Sequence, residues 1–168
     1  FYQFNETTGA CEGKVTGLIE FDGAWYYAIN GVAKSGWWNL TDADGNNGYY
    51  YFDPETFQGL DGENSSFFPN VIYQFEHGKL VKGAWLATDH GKRYYYGPGF
   101  VQGKWYTIEG NLYFFNQDGY RYEGLRYVKL RDNHDDPIYW YDFGEDGICH
   151  GVYQHTGLFY LNGNTYYT

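Results

Sequence analysis

Gly103-Lys104-Trp105-Tyr106-Thr107-Ile108-Glu109-Gly110-Asn111-Leu112-Tyr113-Phe114-Phe115-Asn116-Gln117-Asp118-Gly119-Tyr120 carries the pattern that decides the fold. A glycine opens the stretch and an aromatic-rich run follows it. Glu109-Gly110 interrupts that run with turn chemistry, since Gly accepts the left-handed backbone a tight turn requires. A second aromatic run, Tyr113-Phe114-Phe115, comes next, and Gly119 closes the unit. Aromatic side chains suit the pleated surface of a strand. Two such runs about a short turn, in roughly 20 residues, read as a β-hairpin.

The same grammar recurs along the chain. Anchor glycines stand at Gly17, Gly36, Gly62, Gly83, Gly103, Gly124 and Gly151, with successive spacings of 19, 26, 21, 20, 21 and 27 residues. Polar turns follow at Asp22-Gly23, Asp44-Gly45 and His90-Gly91, and aromatic second strands at Trp25-Tyr26-Tyr27, Tyr49 to Phe52, Tyr94 to Tyr96, Tyr139 to Tyr141 and Phe159-Tyr160. Further turn glycines close units at Gly31, Gly78, Gly99 and Gly147. The two long units hold extra residues, Asp42 to Gly48 and Arg131 to Pro137, where the hairpin turn belongs. Loop tips tolerate such insertions. One hairpin cannot bury its apolar face alone, whereas stacked hairpins cover one another. The expected fold is therefore all-β, a β-hairpin repeat solenoid of about seven short units. It is expected to be a single repeat domain over 1–168, with units near 15–36, 36–62, 62–83, 83–103, 103–124, 124–151 and 151–168. Phe1 through Gly13 reads as the second half of a truncated unit, and Asn164 to Thr168 as the start of a further one.

Composition narrows the function classes. Aromatic residues make up 24% of the chain and 24 residues are Gly, a content opposed to disorder. The net charge is −10 with only 11 Lys and Arg, which argues against a phosphate-tracking surface and hence against nucleic acid. No apolar run approaches a membrane span, so membrane insertion is not expected. Met is absent from the 168 residues, from which a fragment or processed product is expected.

The unit from Gly103 to Tyr120 resembles the cell-wall-binding repeats of Gram-positive surface proteins, and so does Gly17 to Tyr27. That superfamily includes choline-binding repeats, the glucan-binding repeats of glucansucrases and the glycan-binding repeats of clostridial toxins. The resemblance covers nearly the whole chain. It implies a hairpin solenoid with shallow sites between consecutive hairpins. In choline-binding members, aromatic side chains cage a quaternary ammonium by cation–π attraction. The cage uses a Trp after the anchor Gly, a Trp of the second strand and a further aromatic of a neighbouring hairpin. This sequence matches in part. Trp37 directly follows Gly36, but elsewhere the aromatic stands two places after the anchor: Trp38, Trp85, Trp105 and Tyr153. Gly124 is followed by Leu125 and Arg126. The second-strand slot is Trp at Trp25 alone, and Tyr50, Ile72, Tyr94, Tyr113, Tyr139 and Phe159 in the other units. A Trp–Trp cage is thus confined to Trp25 and Trp37. The departure favours sugar rings, which suit flat aromatics with polar edges.

The ligand-binding candidates are Trp25, Tyr27, Trp37, Trp38, Tyr50, Trp85, Tyr95, Trp105, Tyr113 and Trp140. Each competes with a packing role, because a hairpin stack needs large buried side chains. Trp85 and Trp105 occupy equivalent slots and stand or fall together. Cys11 and Cys149 both lie two residues before a Gly, in a slot that elsewhere holds Val81, Val101 and Tyr122. They read as small packing residues, with no intramolecular bridge, since ends of a stack lie too far apart for one. The five histidines form no metal motif, and no metal or cofactor is expected. Asp42, Asp44, Asn46 and Asp53 depart from the calcium-loop pattern and read as turn residues.

No catalytic constellation stands out. The three serines, Ser35, Ser65 and Ser66, lie in no nucleophile elbow, and the acidic residues cluster in turns. The expected function is a non-catalytic carbohydrate or cell-wall-polymer binding module that targets a secreted protein to glucan or cell-wall glycan, outside the cell. A choline-type teichoic-acid anchor at Trp25, Trp37 and Tyr50 stays open, as does a structural spacer or adhesion stalk. Exposed hairpin edges at the ends of a stack leave a homo-oligomer open as well.

Overall fold

The computed structural model describes residues 1–129 and 138–167. These residues are all-β, with twenty strands in seven small sheets and no helix among them. β1 (Tyr2–Phe4) pairs with β2 (Cys11–Lys14), and β3 (Gly17–Phe21), β4 (Ala24–Ile29) and β5 (Val32–Lys34) form a three-stranded sheet. β6 (Gly36–Thr41), β7 (Asn47–Phe52), β8 (Gly62–Asn64), β9 (Tyr73–Glu76) and β10 (Lys79–Lys82) join in one sheet of order β6-β7-β10-β9-β8. β11 (Ala84–Thr88), β12 (Gly91–Tyr96) and β13 (Gly99–Phe100) make the next sheet, followed by the β14 (Lys104–Ile108) and β15 (Asn111–Phe115) hairpin. β16 (Leu125–Lys129), β17 (Ile138–Asp142) and β18 (Gly151–Val152) form another, and β19 (Leu158–Leu161) with β20 (Asn164–Tyr167) is the last hairpin.

The turn dipeptides set these hairpins. Asp22-Gly23 and Glu109-Gly110 place both central residues at positive φ, 51° and 73° in one and 49° and 83° in the other. That is the mirror-image turn whose twist matches paired strands. The register follows: Phe21 faces Ala24, and Ile108 faces Asn111. The anchor glycines have two physical causes. Gly36 sits at φ 81°, where a side chain would be strained. Gly83 is cramped instead, because a Cβ there would meet the Tyr95 carbonyl and lie 2.7 Å from the Tyr94 ring.

Alternation along the aromatic strands builds the cores. On β7, Tyr50 and Phe52 are buried while Tyr49 and Tyr51 point to the other, half-buried face. The chain divides into two compact units. The first comprises Phe1–Ala87 with Tyr94–Phe100, and its cluster of Val71, Tyr73, Phe75 and Leu80 is packed by Trp37, Tyr51 and Phe67. The second comprises the described residues of Thr88–Arg93 and Val101–Thr168, and centres on Val128, Tyr141 and Phe143 with Trp105, Phe114, Tyr122 and Cys149 around them.

Several local expectations change. Two consecutive units merge into the five-stranded sheet through the pairing of Lys79 with Tyr50, supported by the Tyr51 N–H donating to the Gly78 carbonyl at 2.8 Å. Ile72 does not hold the second-strand slot: it is exposed and precedes β9, whose inward residues are Tyr73 and Phe75. Phe159-Tyr160 opens the last hairpin rather than closing one. Asn162-Gly163, at φ 49° and 83°, turns the chain so that Asn164–Tyr167 is its return strand and not the start of another unit. Cys149 packs against the second core, but Cys11 is exposed on an edge strand and is no packing residue; both thiols are free. Of the insertion from Asp42 to Gly48, residues 42–46 form the β6–β7 turn as expected, but Asn47 and Gly48 already belong to β7, while the insertion at Arg131 to Pro137 lies outside the described residues.

Candidate ligand-binding clefts

A cleft of about 510 Å³ opens in the first unit between β4, the β6–β7 turn and the β9–β10 hairpin. Trp25 and Tyr50 give it aromatic surface, Leu18 and Val81 aliphatic surface, and Asp42, Asp44, Glu76, His77 and Lys79 a polar rim. The β9–β10 turn places His77 at φ 52° with its ring 5.6 Å from the Trp25 indole, tilted by 32°. The His77 N–H donates to Asp61 Oδ1 at 2.6 Å, which fixes the turn. Lys79 Nζ donates to Asp42 Oδ2 at 2.7 Å. The other oxygen of Asp42 accepts the N–H groups of Asp44 and Asn46, at 3.1 and 2.8 Å. Its carboxyl is held below the usual range, first by Lys79 and then by the Asn46 N–H. The same bond lifts the Lys79 ammonium above its ordinary value. Asp42 is thus committed to turn geometry and to Lys79, as a turn residue would be. Asp53 likewise caps its own turn by accepting from the Glu55 and Thr56 N–H groups.

A second cleft, of about 490 Å³, lies in the second unit between the β16–β18 sheet and the β19–β20 hairpin. Trp140 is its centre, with Tyr127, Tyr139, Tyr153, Tyr166 and Tyr167 around it and Ile138 and Val152 completing the wall. Tyr127 stands opposite Trp140 in the hairpin register, with ring centroids 5.4 Å apart. Tyr166 meets the indole edge-on at 4.7 Å. Tyr127, Tyr139 and Tyr167 are 59, 42 and 77% exposed, so this aromatic surface faces solvent. Among the described residues, no charged side chain lines it.

The other candidates are placed apart from both clefts. Trp37 packs against Tyr51, Phe67, Tyr73 and Phe75 and does not meet Trp25 in the cleft. Trp38 donates its indole N–H to the Ser35 carbonyl at 2.9 Å and packs on Tyr27, which in turn stacks on Phe52. Trp85 contacts Tyr94, and Tyr95 lies between Phe68 and Phe100. Trp105 packs on Phe114, Tyr141 and Phe143, with its N–H on the Lys129 carbonyl at 2.7 Å. Tyr113 is buried beside Phe115. Among the described residues, no three His, Cys, Asp or Glu side chains converge as a metal site.

Sequence reasoning missed Tyr127, Tyr153, Tyr166 and Tyr167, and the rim of the first cleft. Tyr127 carried a usable signal, since hairpin register puts it across from Trp140. The Lys79–Asp42 pair joins residues 37 positions apart and had none.

Small sheets of repeated aromatic hairpins bearing shallow aromatic clefts define the class: an all-β protein of short hairpin strands. No family model matches the chain. Glucosyltransferase-S of Streptococcus mutans serotype c is 27% identical over 150 residues, a match covering 61% of this chain and 10% of that protein. The chain therefore spans about a tenth of the length of the curated relative it matches. Among solved structures it is similar to choline binding protein F of Streptococcus pneumoniae, with 23% identity, a TM-score of 0.35 and coverage of 95% of this chain and 50% of that one. It is also similar to truncated alternansucrase from Leuconostoc mesenteroides NRRL B-1355, with 23% identity, a TM-score of 0.31 and coverage of 95% and 13%. The curated relative is a glucosyltransferase, in line with the glucan-binding repeats that the repeat unit resembles.

Proposed function

We propose that the chain is a non-catalytic module that binds a neutral glycan or cell-wall polymer and holds a larger secreted protein to it outside the cell. The observation that carries this reading is the Trp140 cleft. Its half-buried indole and exposed tyrosines offer apolar faces for sugar rings and phenol hydroxyls for their edges. Glycoside hydrolysis needs two carboxylates across one cleft, and among the described residues this one is lined by none. A stacked, solenoid arrangement of the hairpins accompanies the proposal: Trp37 and Trp105 each cover the strands of a later hairpin, the role a stack assigns them. The sequence match to a glucosyltransferase supports a glucan as the first polymer to try.

The test is retention of the purified chain on α-glucans, β-glucans and isolated cell wall, with choline as competitor. Retention on a glucan that choline leaves unchanged is the expected result. Release from cell wall by choline would make the chain a choline-type anchor. Absence of retention on every polymer would move the reading to a structural spacer.

A further inference from the structure

The chain holds three Asn-Gly pairs, Asn30-Gly31, Asn47-Gly48 and Asn162-Gly163. Asparagine is chemically labile where the next backbone nitrogen can reach its side-chain carbonyl, and Gly has no Cβ to obstruct that approach. Asn30-Gly31 and Asn162-Gly163 share one turn geometry, with φ of 51° and 79° in the first and 49° and 83° in the second. Their surroundings differ. The Gly31 N–H donates to the Val15 carbonyl at 2.7 Å, and a Cβ on Gly31 would meet the Phe1 carbonyl and the Lys14 side chain. Gly48 is buried within β7 beside the Lys79 side chain, and the Asn47 side-chain oxygen accepts from the Thr41 hydroxyl. Asn162 and Gly163 are exposed, with open space where a Gly163 Cβ would stand. Among the described residues, the Gly163 N–H has no hydrogen-bond partner.

We propose that Asn162 is a self-modification site, and that its conversion to isoaspartate takes down one wall of the Trp140 cleft. The Gly163 nitrogen gives up its proton and attacks Asn162 Cγ. A new Cγ–N bond forms, the Cγ–Nδ2 bond breaks, and ammonia leaves with that proton. Water then opens the five-membered imide. Opening at Cγ leaves aspartate. Opening at the main-chain carbonyl leaves isoaspartate, whose chain runs through the side chain and gains one carbon. Loss of ammonia makes the change one-way. The turn sets the register of the last hairpin, so an added carbon displaces the pairing of Leu161 with Asn164 and of Phe159 with Tyr166. Tyr166 meets the Trp140 indole edge-on at 4.7 Å and stacks on Phe159 at 5.4 Å, and Tyr167 lines the same cleft. The effect on binding rests on reading the Trp140 cleft as a glycan site, whereas the effect on the cleft itself does not.

The full chain is aged in mildly alkaline buffer below its unfolding transition, and isoaspartate is mapped by peptide mass spectrometry and enzymatic methylation. Asn162 is expected to convert first. Giving up the Gly31 hydrogen bond alone slows Asn30 about 5-fold relative to it. Ion exchange then separates the isoaspartate form from fresh protein. Its Trp140 indole N–H resonance, assigned with Trp140→Phe among the six indoles, should move, and its retardation by a neutral glucan should be mostly lost. Asn162→Asp carries the charge without the extra carbon and should keep both. Asn162→Gly keeps a turn-forming pair that cannot close the ring, and should keep both after ageing. The inference is overturned if Asn30 or Asn47 converts as fast as Asn162, if the isoaspartate form keeps the fresh Trp140 resonance, or if Asn162→Asp loses as much as that form does. Failure of fresh protein to be retarded by any neutral glycan would overturn the glycan-binding reading instead, and the Trp140 resonance would still decide the effect on the cleft.

Discussion

Replacing Trp105 by Ala separates packing from binding in the anchor-plus-two slot. The indole is half-buried against Phe114, Tyr141 and Phe143, at centroid distances of 5.3, 5.0 and 5.6 Å, and its N–H serves the Lys129 carbonyl. Removing a large core aromatic costs about 3–5 kcal/mol, and the incomplete burial of this one puts the loss near the lower end, about 3–4 kcal/mol. Trp105→Phe keeps a ring in place and drops the hydrogen bond, so about 1 kcal/mol is expected. Urea unfolding of the three proteins, read by linear extrapolation, measures both differences. Retention on the bound glycan, measured below the unfolding transition, should be unchanged for both variants. The reasoning fails if Trp105→Ala costs less than about 1 kcal/mol while retention collapses, for then the slot is a ligand platform rather than a packing position.

Further outcomes follow from the same geometry. Asp42 titrates below the ordinary carboxylate range, so its stabilisation is full above that range and disappears as pH falls through its folded value. The stability gap between wild type and Asp42→Asn should therefore close on acidification, and Lys79→Ala should return the Asp42 titration, followed by NMR, toward ordinary values. Gly83→Ala should destabilise by about 1–3 kcal/mol because its Cβ meets the Tyr95 carbonyl and the Tyr94 ring, whereas Gly99→Ala, with open space around it, should stay within about 0.5 kcal/mol in thermal melts. Thiol reagents should modify exposed Cys11 quickly and Cys149 slowly, since burial both shields the Cys149 thiol and pushes its pKa up; equal rates would contradict its packing.

Much of the hairpin pattern was legible because its signals are local. Glu109-Gly110 and Asp22-Gly23 need only their own backbone preferences, and Tyr113-Phe114-Phe115 only the two-residue period of a strand. What joins hairpins was not legible. The sheet that merges through Lys79 and Tyr50 depends on residues 29 positions apart, and Tyr73 replaces Ile72 because the chain around Phe67 and Phe68 packs over β9. Whether a Trp binds or packs was equally hidden, since both roles call for the same broad aromatic surface. The facing strand sets the surroundings of each: Trp105 meets Tyr141 and Phe143 in a core, while Trp140 meets the exposed Tyr127 at an open cleft. Trp25 and Tyr50 were both recognisable as candidates, but their shared cleft also needs Lys79 and His77 from a later hairpin.

The measurement that bears most directly on the central claim is the mobility of wild type and Trp140→Ala in native gels cast with the neutral glucan that retains the chain. The account predicts that the glucan slows wild type and that the substitution removes most of that slowing at a temperature where the variant, which loses the packing of Trp140 on Tyr127, Phe159 and Tyr166, is still folded by circular dichroism. Equal retardation of the two proteins, or none of either on any neutral glycan, would contradict it.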